Sequence, residues 1–298
     1  MSEAVALLTS GMGLGVYVPS LFLRNQCEAR GVKARIYVYE EFLEQDKKKN
    51  VKKYQECFHQ SYRAAVAGHK IPVRFAGHLD EGALSGLFDM WKEHGQRHFI
   101  MLSGHWKSVL DAYQRESGFV CSVECLRMDY GVTPSWRGFC DPGSLYHTTW
   151  LFGTPEQAME YTIQADSRPA IPFEERGPRY VVHGGGWGMG TYLDRMEELE
   201  PLGQLDITLH SEKEMENAKA KNNYYLIDPN WSPWMRNDNG RHIFPPTRWM
   251  LHEPDYITSE EHPYLYDVCR KALAIISKPG GGHGPLRLLL RPAHPVPG

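Results

Sequence analysis

Three glycine-bearing segments stand out as places where backbone could do chemistry: Ser10-Gly11-Met12-Gly13-Leu14-Gly15, Gly184-Gly185-Gly186-Trp187-Gly188-Met189-Gly190 and Ser277-Lys278-Pro279-Gly280-Gly281-Gly282. Glycine lets a chain approach a ligand closely, and the N–H groups that open a following helix can face phosphate oxygens. Pyrophosphate is the natural ligand of such loops. The first segment lacks the spacing of a dinucleotide fingerprint, whose third glycine falls three residues after the second. Asp46 lies in a charged stretch rather than at the end of a second strand, so a simple NAD site is disfavoured. A tight turn without a ligand is the alternative reading of the first two segments. Against it, the second places five glycines in seven positions, a large entropic cost unless close approach requires them. In the third, Ser277 adds a hydroxyl and Lys278 a charge that either neutralises phosphate or is solvated.

Each segment needs a strand before it and a helix after it. Residues 4–9 are a short apolar run, residues 18–30 carry apolar residues at helical spacing, and residues 33–39 are rich in β-formers. The first forty residues therefore read as a β-α-β unit with a parallel sheet. Residues 40–53 read as a charged, solvated helix face without chemistry. Residues 84–94 and 109–115 read as helices, and 98–102 and 119–126 as buried strands. Pro169, Pro172 and Pro178 mark a linker over 166–178, after which 180–183 restart the plan with a strand, a glycine loop and helical spacing through 199. Strands at 205–209 and 224–227, helices at 212–221 and 264–272, and a short strand at 274–277 follow. The expected fold class is α/β, with two Rossmann-like doubly wound domains facing a ligand cleft: 1–165, then the linker, then 179–298.

The run Ile276-Ser277-Lys278-Pro279-Gly280-Gly281-Gly282, with the two earlier glycine loops, resembles the GT-B glycosyltransferases, especially the branch containing monogalactosyldiacylglycerol synthase and the peptidoglycan N-acetylglucosaminyltransferase. The resemblance covers the order of elements over residues 4–282, and the motif match is confined to the three loops. It implies transfer of a sugar from a nucleotide-diphosphate donor, held mainly by the C-terminal domain, to a small-molecule or lipid-linked acceptor, without a metal. By the same resemblance Gly184, Gly185, Gly186 and Gly188 approach the donor diphosphate. Ser277, Gly280, Gly281 and Gly282 line the sugar-nucleotide pocket, and Gly11, Gly13 and Gly15 face the acceptor and the donor phosphates. The chain departs from the pattern from His283 onward. There a Leu/Arg stretch and Pro292, Pro295 and Pro297 stand where an acidic ribose ligand and further β-α units belong. The second domain is thus expected to be incomplete, by a genuine terminus or by an altered reading frame or truncated record. A sugar-nucleotide epimerase or hydrolase, and a non-catalytic nucleotide-sugar-binding protein, are the alternative functions.

Transfer to an acceptor hydroxyl needs a base in the cleft and positive charge or helix dipoles for the leaving diphosphate. His105, just past the strand ending at Leu102, is the preferred base, with a loop histidine as the plain alternative. His147, His183, Glu124 and Asp129 rank behind it. Asp228 and Asn230 end a strand of the second domain, where they reach the donor pocket or form a turn. Trp231, Trp234 and Trp249 stack on a sugar or pack in the core. Cys121 and Cys125 lack a second pair at finger-like spacing, so they read as buried thiols and no metal site is expected.

The 33 basic residues nearly balance the 36 acidic ones, which argues against nucleic acid as a partner. The Lys47–Lys49 run with Lys52 and Lys53 either touches an anionic membrane surface or is a solvated helix face. Six sparse cysteines and the lack of a leader or an apolar span point to the cytoplasm. No resident cofactor is expected, the nucleotide sugar being a co-substrate.

Overall fold

The computed structural model describes residues 4–70, 78–128, 133–137, 139, 145–151, 161–165, 167–185 and 192–277. Two five-stranded sheets organise them. The first contains β1 (Val5–Thr9), β2 (Ala34–Val38), β3 (His98–Met101), β4 (Ser122–Arg127) and β5 (Tyr146–Trp150), in the order β2-β1-β3-β4-β5. Every pairing in it is parallel. Ala6, Leu7 and Leu8 are fully buried, as expected of a strand covered on both faces.

Helices α1 (Leu14–Ala29), α2 (Gln45–Gln60), α3 (Tyr62–Lys70), α4 (Glu81–Glu93) and α5 (Lys107–Ser117) connect these strands. Asp80 caps α4 by accepting from the Ala83 amide at 2.9 Å. Gly118, at φ 68°, ends α5 in the left-handed region that favours glycine. One side of the sheet buries Trp91, Trp106 and Tyr113, and the other packs α1 through Tyr17, Leu21 and Phe22. Chain order reverses between β1 and β3, which opens a crevice at the carboxyl ends of those strands.

The second sheet holds β6 (Arg179–His183), β7 (Gln204–Leu209), β8 (Asn223–Ile227), β9 (Thr247–Trp249) and β10 (Ala274–Ser277), in the order β10-β6-β7-β8-β9. Only the β8–β9 pairing is antiparallel. Helices α6 (Met196–Leu199) and α7 (Tyr264–Lys271) belong to this lobe. At the end of the sheet away from the crevice, buried Asp206 accepts from Arg179 at 2.7 and 3.0 Å, from Asn223 at 2.7 Å and from Tyr225 at 3.2 Å.

Several elements depart from their expected form. The helix expected over 212–221 is a 3-10 helix at Glu212–Asn217. Glu214 turns back onto the chain before it, and the Tyr224 hydroxyl accepts from the Lys219 amide at 2.7 Å, taking a donor that a longer helix would use. Helical spacing near residue 195 resolves into a 3-10 turn at Tyr192–Arg195 and the single α-turn of α6, which runs into Pro201. The charged stretch expected to be wholly solvated begins with a 3-10 turn at Tyr39–Phe42 that buries Glu40.

An arm of residues 228–246 leaves β8 and clasps α1 of the first lobe. Tyr17 donates to the Ile243 carbonyl at 2.8 Å and Arg24 to the His242 carbonyl at 2.6 Å. Phe22 packs on Phe244 with ring centres 4.9 Å apart.

Candidate functional site

The carboxyl ends of the two sheets face each other across a cavity of about 660 Å³. The first lobe contributes Gly11, Gly13 and Leu14 and one side of α2, from Lys52 to Gln60. From the second lobe come His183 at the end of β6 and Gly185 after it, residues 208–213 at the tip of β7, and residues 227–229 at the tip of β8. Trp231 and Trp234 close one side, with their rings packed into the first lobe's core.

Backbone amides at these tips are the expected anion ligands, and three of the four tips already hold a carboxylate of this chain. Glu40 fills the first glycine loop. Its carboxylate accepts from the Gly11 amide at 2.6 Å, the Met12 amide at 3.1 Å and the Ser10 hydroxyl at 2.6 Å. Burial lifts this carboxyl above the ordinary glutamate range, and the donors pull against it. At the β7 tip, Glu214 accepts from the His210 amide at 2.7 Å and the Ser211 amide at 3.2 Å. At the β8 tip, Asp228 accepts from the Asn230 amide at 2.8 Å, the turn-forming role weighed for it, while also lining the cavity.

The β6 tip differs. Among the described residues, no carboxylate accepts from the Gly184 or Gly185 amides, and Gly185 lines the cavity at φ 82°, where a side chain would be strained. The start of α1 also faces the cavity through Gly13 and Leu14, and no side chain caps it. Its first-turn amides carry the positive end of a 16-residue helix dipole.

The remaining expected residues divide. Gly11 lines the cavity, but the space a side chain would take there is filled by Pro233: a Cβ would sit 2.7 Å from the proline Cβ. Gly15 has nothing within 4 Å of such a Cβ and does not line the cavity. Ser277 pairs in register with His183, which sets the ends of β10 and β6 side by side. Gly186, Gly188, Lys278, Gly280, Gly281, Gly282 and Asp129 lie outside the described residues, as does the chain from 283 onward.

His105 is not brought to the cavity. Its ring lies 5.3 Å from that of Tyr39, and burial pushes its imidazole down to about 4, so it is neutral at pH 7. Among the other candidates, His147 pairs with Glu124 at 2.8 Å on the outer strand β5, and His183 lines the cavity with Nδ1 2.9 Å from the Thr208 hydroxyl. Cys121 and Cys125 are buried, and burial raises the Cys121 thiol to about 11. Among the described residues no three His, Cys, Asp or Glu side chains are placed to hold a metal ion, and no helix is long and apolar enough to cross a membrane.

Sequence reasoning missed Glu40, His59, His210, Lys213 and Glu214. His59 on α2 reaches across the cleft to Glu214 at 2.6 Å, and its ring stacks on that of His210 at 4.2 Å. One signal was present: Ser211 and Glu214 stand three apart after an apolar strand, the spacing of a capping box, and the half in which the Glu214 carboxylate accepts from the Ser211 amide forms.

No protein-family model matches this chain, and no match was found among curated proteins or solved structures.

Proposed function

We propose that the chain is a GT-B-type glycosyltransferase that moves a sugar from a nucleotide-diphosphate donor to a small-molecule or lipid-linked acceptor. One observation carries the reading. Two sheets aim their carboxyl ends into a shared cavity where the β6 glycine loop is the strand tip whose described amides hold no carboxylate of the chain's own. A donor diphosphate fits there, with its charge met by those amides and by the open start of α1 across the cleft.

In the transfer, the acceptor oxygen forms a bond to the anomeric carbon as the bond from that carbon to the diphosphate breaks, and the electron pair leaves with the diphosphate. The acceptor proton goes to an imidazole that lines the cleft, and His183 stands beside the donor loop. His105 is set aside as the base because it lies off the cavity.

Calorimetric titration with UDP and dTDP tests the reading. Saturable binding is expected, weakened at least about tenfold by Gly185→Val, a loss of roughly 1.4 kcal/mol. Absence of binding by either nucleotide overturns it. Product analysis with a UDP-sugar then separates transfer from hydrolysis or epimerisation, which need no acceptor.

A further inference from the structure

The β7 tip puts two basic side chains, His210 and Lys213, on the cavity wall, and α2 puts Lys52 and His59 opposite them. No ion-pair partner of Lys213 is found among the described residues, whereas Lys52 donates to the Pro229 carbonyl at 3.2 Å across the cleft. His59 is engaged with Glu214 at 2.6 Å and lies flat against His210, with ring centres 4.2 Å apart and planes 22° from parallel.

We propose that the β7 tip is a second anion subsite, in which His210 and Lys213 take a phosphate group of the ligand and His210 gains a proton as the group arrives. The proposal rests on the glycosyltransferase reading for the ligand's class, a phosphate-bearing nucleotide, and on cleft geometry for the proton.

Two stacked imidazoles cannot both carry charge cheaply at this separation. His59 pairs with Glu214 at 2.6 Å, and both burial and His59 disfavour the charged form of the neighbouring His210. Burial lowers its pKa first and the charge of His59 second, while Glu214 and Glu56 pull the other way. The other titratable or charged groups that line the cavity are Lys52 on α2, Glu212 and Lys213 on the loop of His210, His183 at the end of β6 and Asp228 after β8. Arg248 of β9 neutralises Glu212 at 2.6 Å. An incoming phosphate adds negative charge on the open side of His210 and raises its proton affinity. Binding therefore draws a proton from solvent in the pH window between the pKa of His210 without ligand and its higher pKa in the complex, and affinity weakens as pH rises through that window and levels off above it.

Calorimetry with inorganic pyrophosphate and with UDP, repeated in buffers of different ionisation enthalpy at slightly alkaline pH, reads the proton count. Wild-type protein is expected to take up a fraction of a proton per ligand. His210→Gln should abolish the uptake and weaken both ligands about tenfold, the worth of one charge-assisted hydrogen bond. Lys213→Ala should weaken both without removing the uptake. An NMR titration of the wild-type His210 imidazole with and without pyrophosphate gives the same answer without a substitution, the expected result being an upward shift. Uptake that persists in His210→Gln, or no uptake and no shift in wild type, overturns the subsite. UDP binding without proton uptake sinks the subsite and leaves the glycosyltransferase reading standing. Uptake with pyrophosphate but no turnover of any UDP-sugar does the reverse, and no binding by either probe removes both.

Discussion

The Glu40 carboxylate lies 2.6 Å from the Gly11 amide, so the first glycine loop is occupied by an anion that the chain itself supplies. A loop with the composition of a phosphate site thus ties the end of β1 to the turn after β2.

Glu40→Ala should strand the Gly11 and Met12 amides and the Ser10 hydroxyl in a buried site and cost about 1–3 kcal/mol in urea unfolding. Sulfate should raise the melting temperature of this variant more than that of wild type by entering the vacated loop. Equal salt responses in the two proteins would count against an internal anion.

Gly11 and Gly15 are a matched pair for substitution. Gly11→Ala drives a Cβ to 2.7 Å from a proline ring that cannot swing away, and should cost roughly 1–3 kcal/mol while loosening the arm. Gly15→Ala lies inside α1 in open space and should add about 0.5–1 kcal/mol. Chemical denaturation of both variants checks the contrast, which disappears if the arm does not pack on the loop.

His105 contributes to acid sensitivity rather than to turnover. Its pKa falls from 6.5 to about 4 on burial, so the unfolded chain binds this proton first and stability is lost as pH drops from 6.5 toward 4. Above that window the group contributes no pH slope. His105→Gln should flatten that part of the stability curve, measured by thermal unfolding across pH, and should leave nucleotide affinity unchanged.

Asp206 is fully buried and neutralises Arg179, whose pKa it raises by direct hydrogen bonding. Asp206→Ala should destabilise the protein by about 3 kcal/mol, since Arg179 keeps partial access to water and Asn223 and Tyr225 lose their acceptor. Nucleotide affinity in the folded fraction should not change, because this network sits at the far end of the sheet from the cavity.

Apolar runs made the buried strands legible: residues 34–38, 98–101 and 205–209 show in sequence because both of their faces are covered. Strand β5 did not show. It reads Tyr-His-Thr-Thr-Trp on an outer strand where only part of each side is buried. Strand β9 has three residues and depends on β8 for its pairing. Glu40 was hidden because a charged run announces charge and not which member turns inward. The His59–Glu214 contact joins positions 155 residues apart, a separation over which no local pattern operates.

The grip of the arm on α1 also sets an order of events during synthesis. The Tyr17 hydroxyl and the carbonyl it binds are separated by 226 residues. At ribosomal speeds the outer face of α1 stays uncovered for roughly 10–45 s while the rest of the chain is made. Tyr17 and Phe22 rest on the first sheet throughout, but the Ile243 carbonyl and the Phe244 ring that complete their contacts are supplied only when the arm has been made.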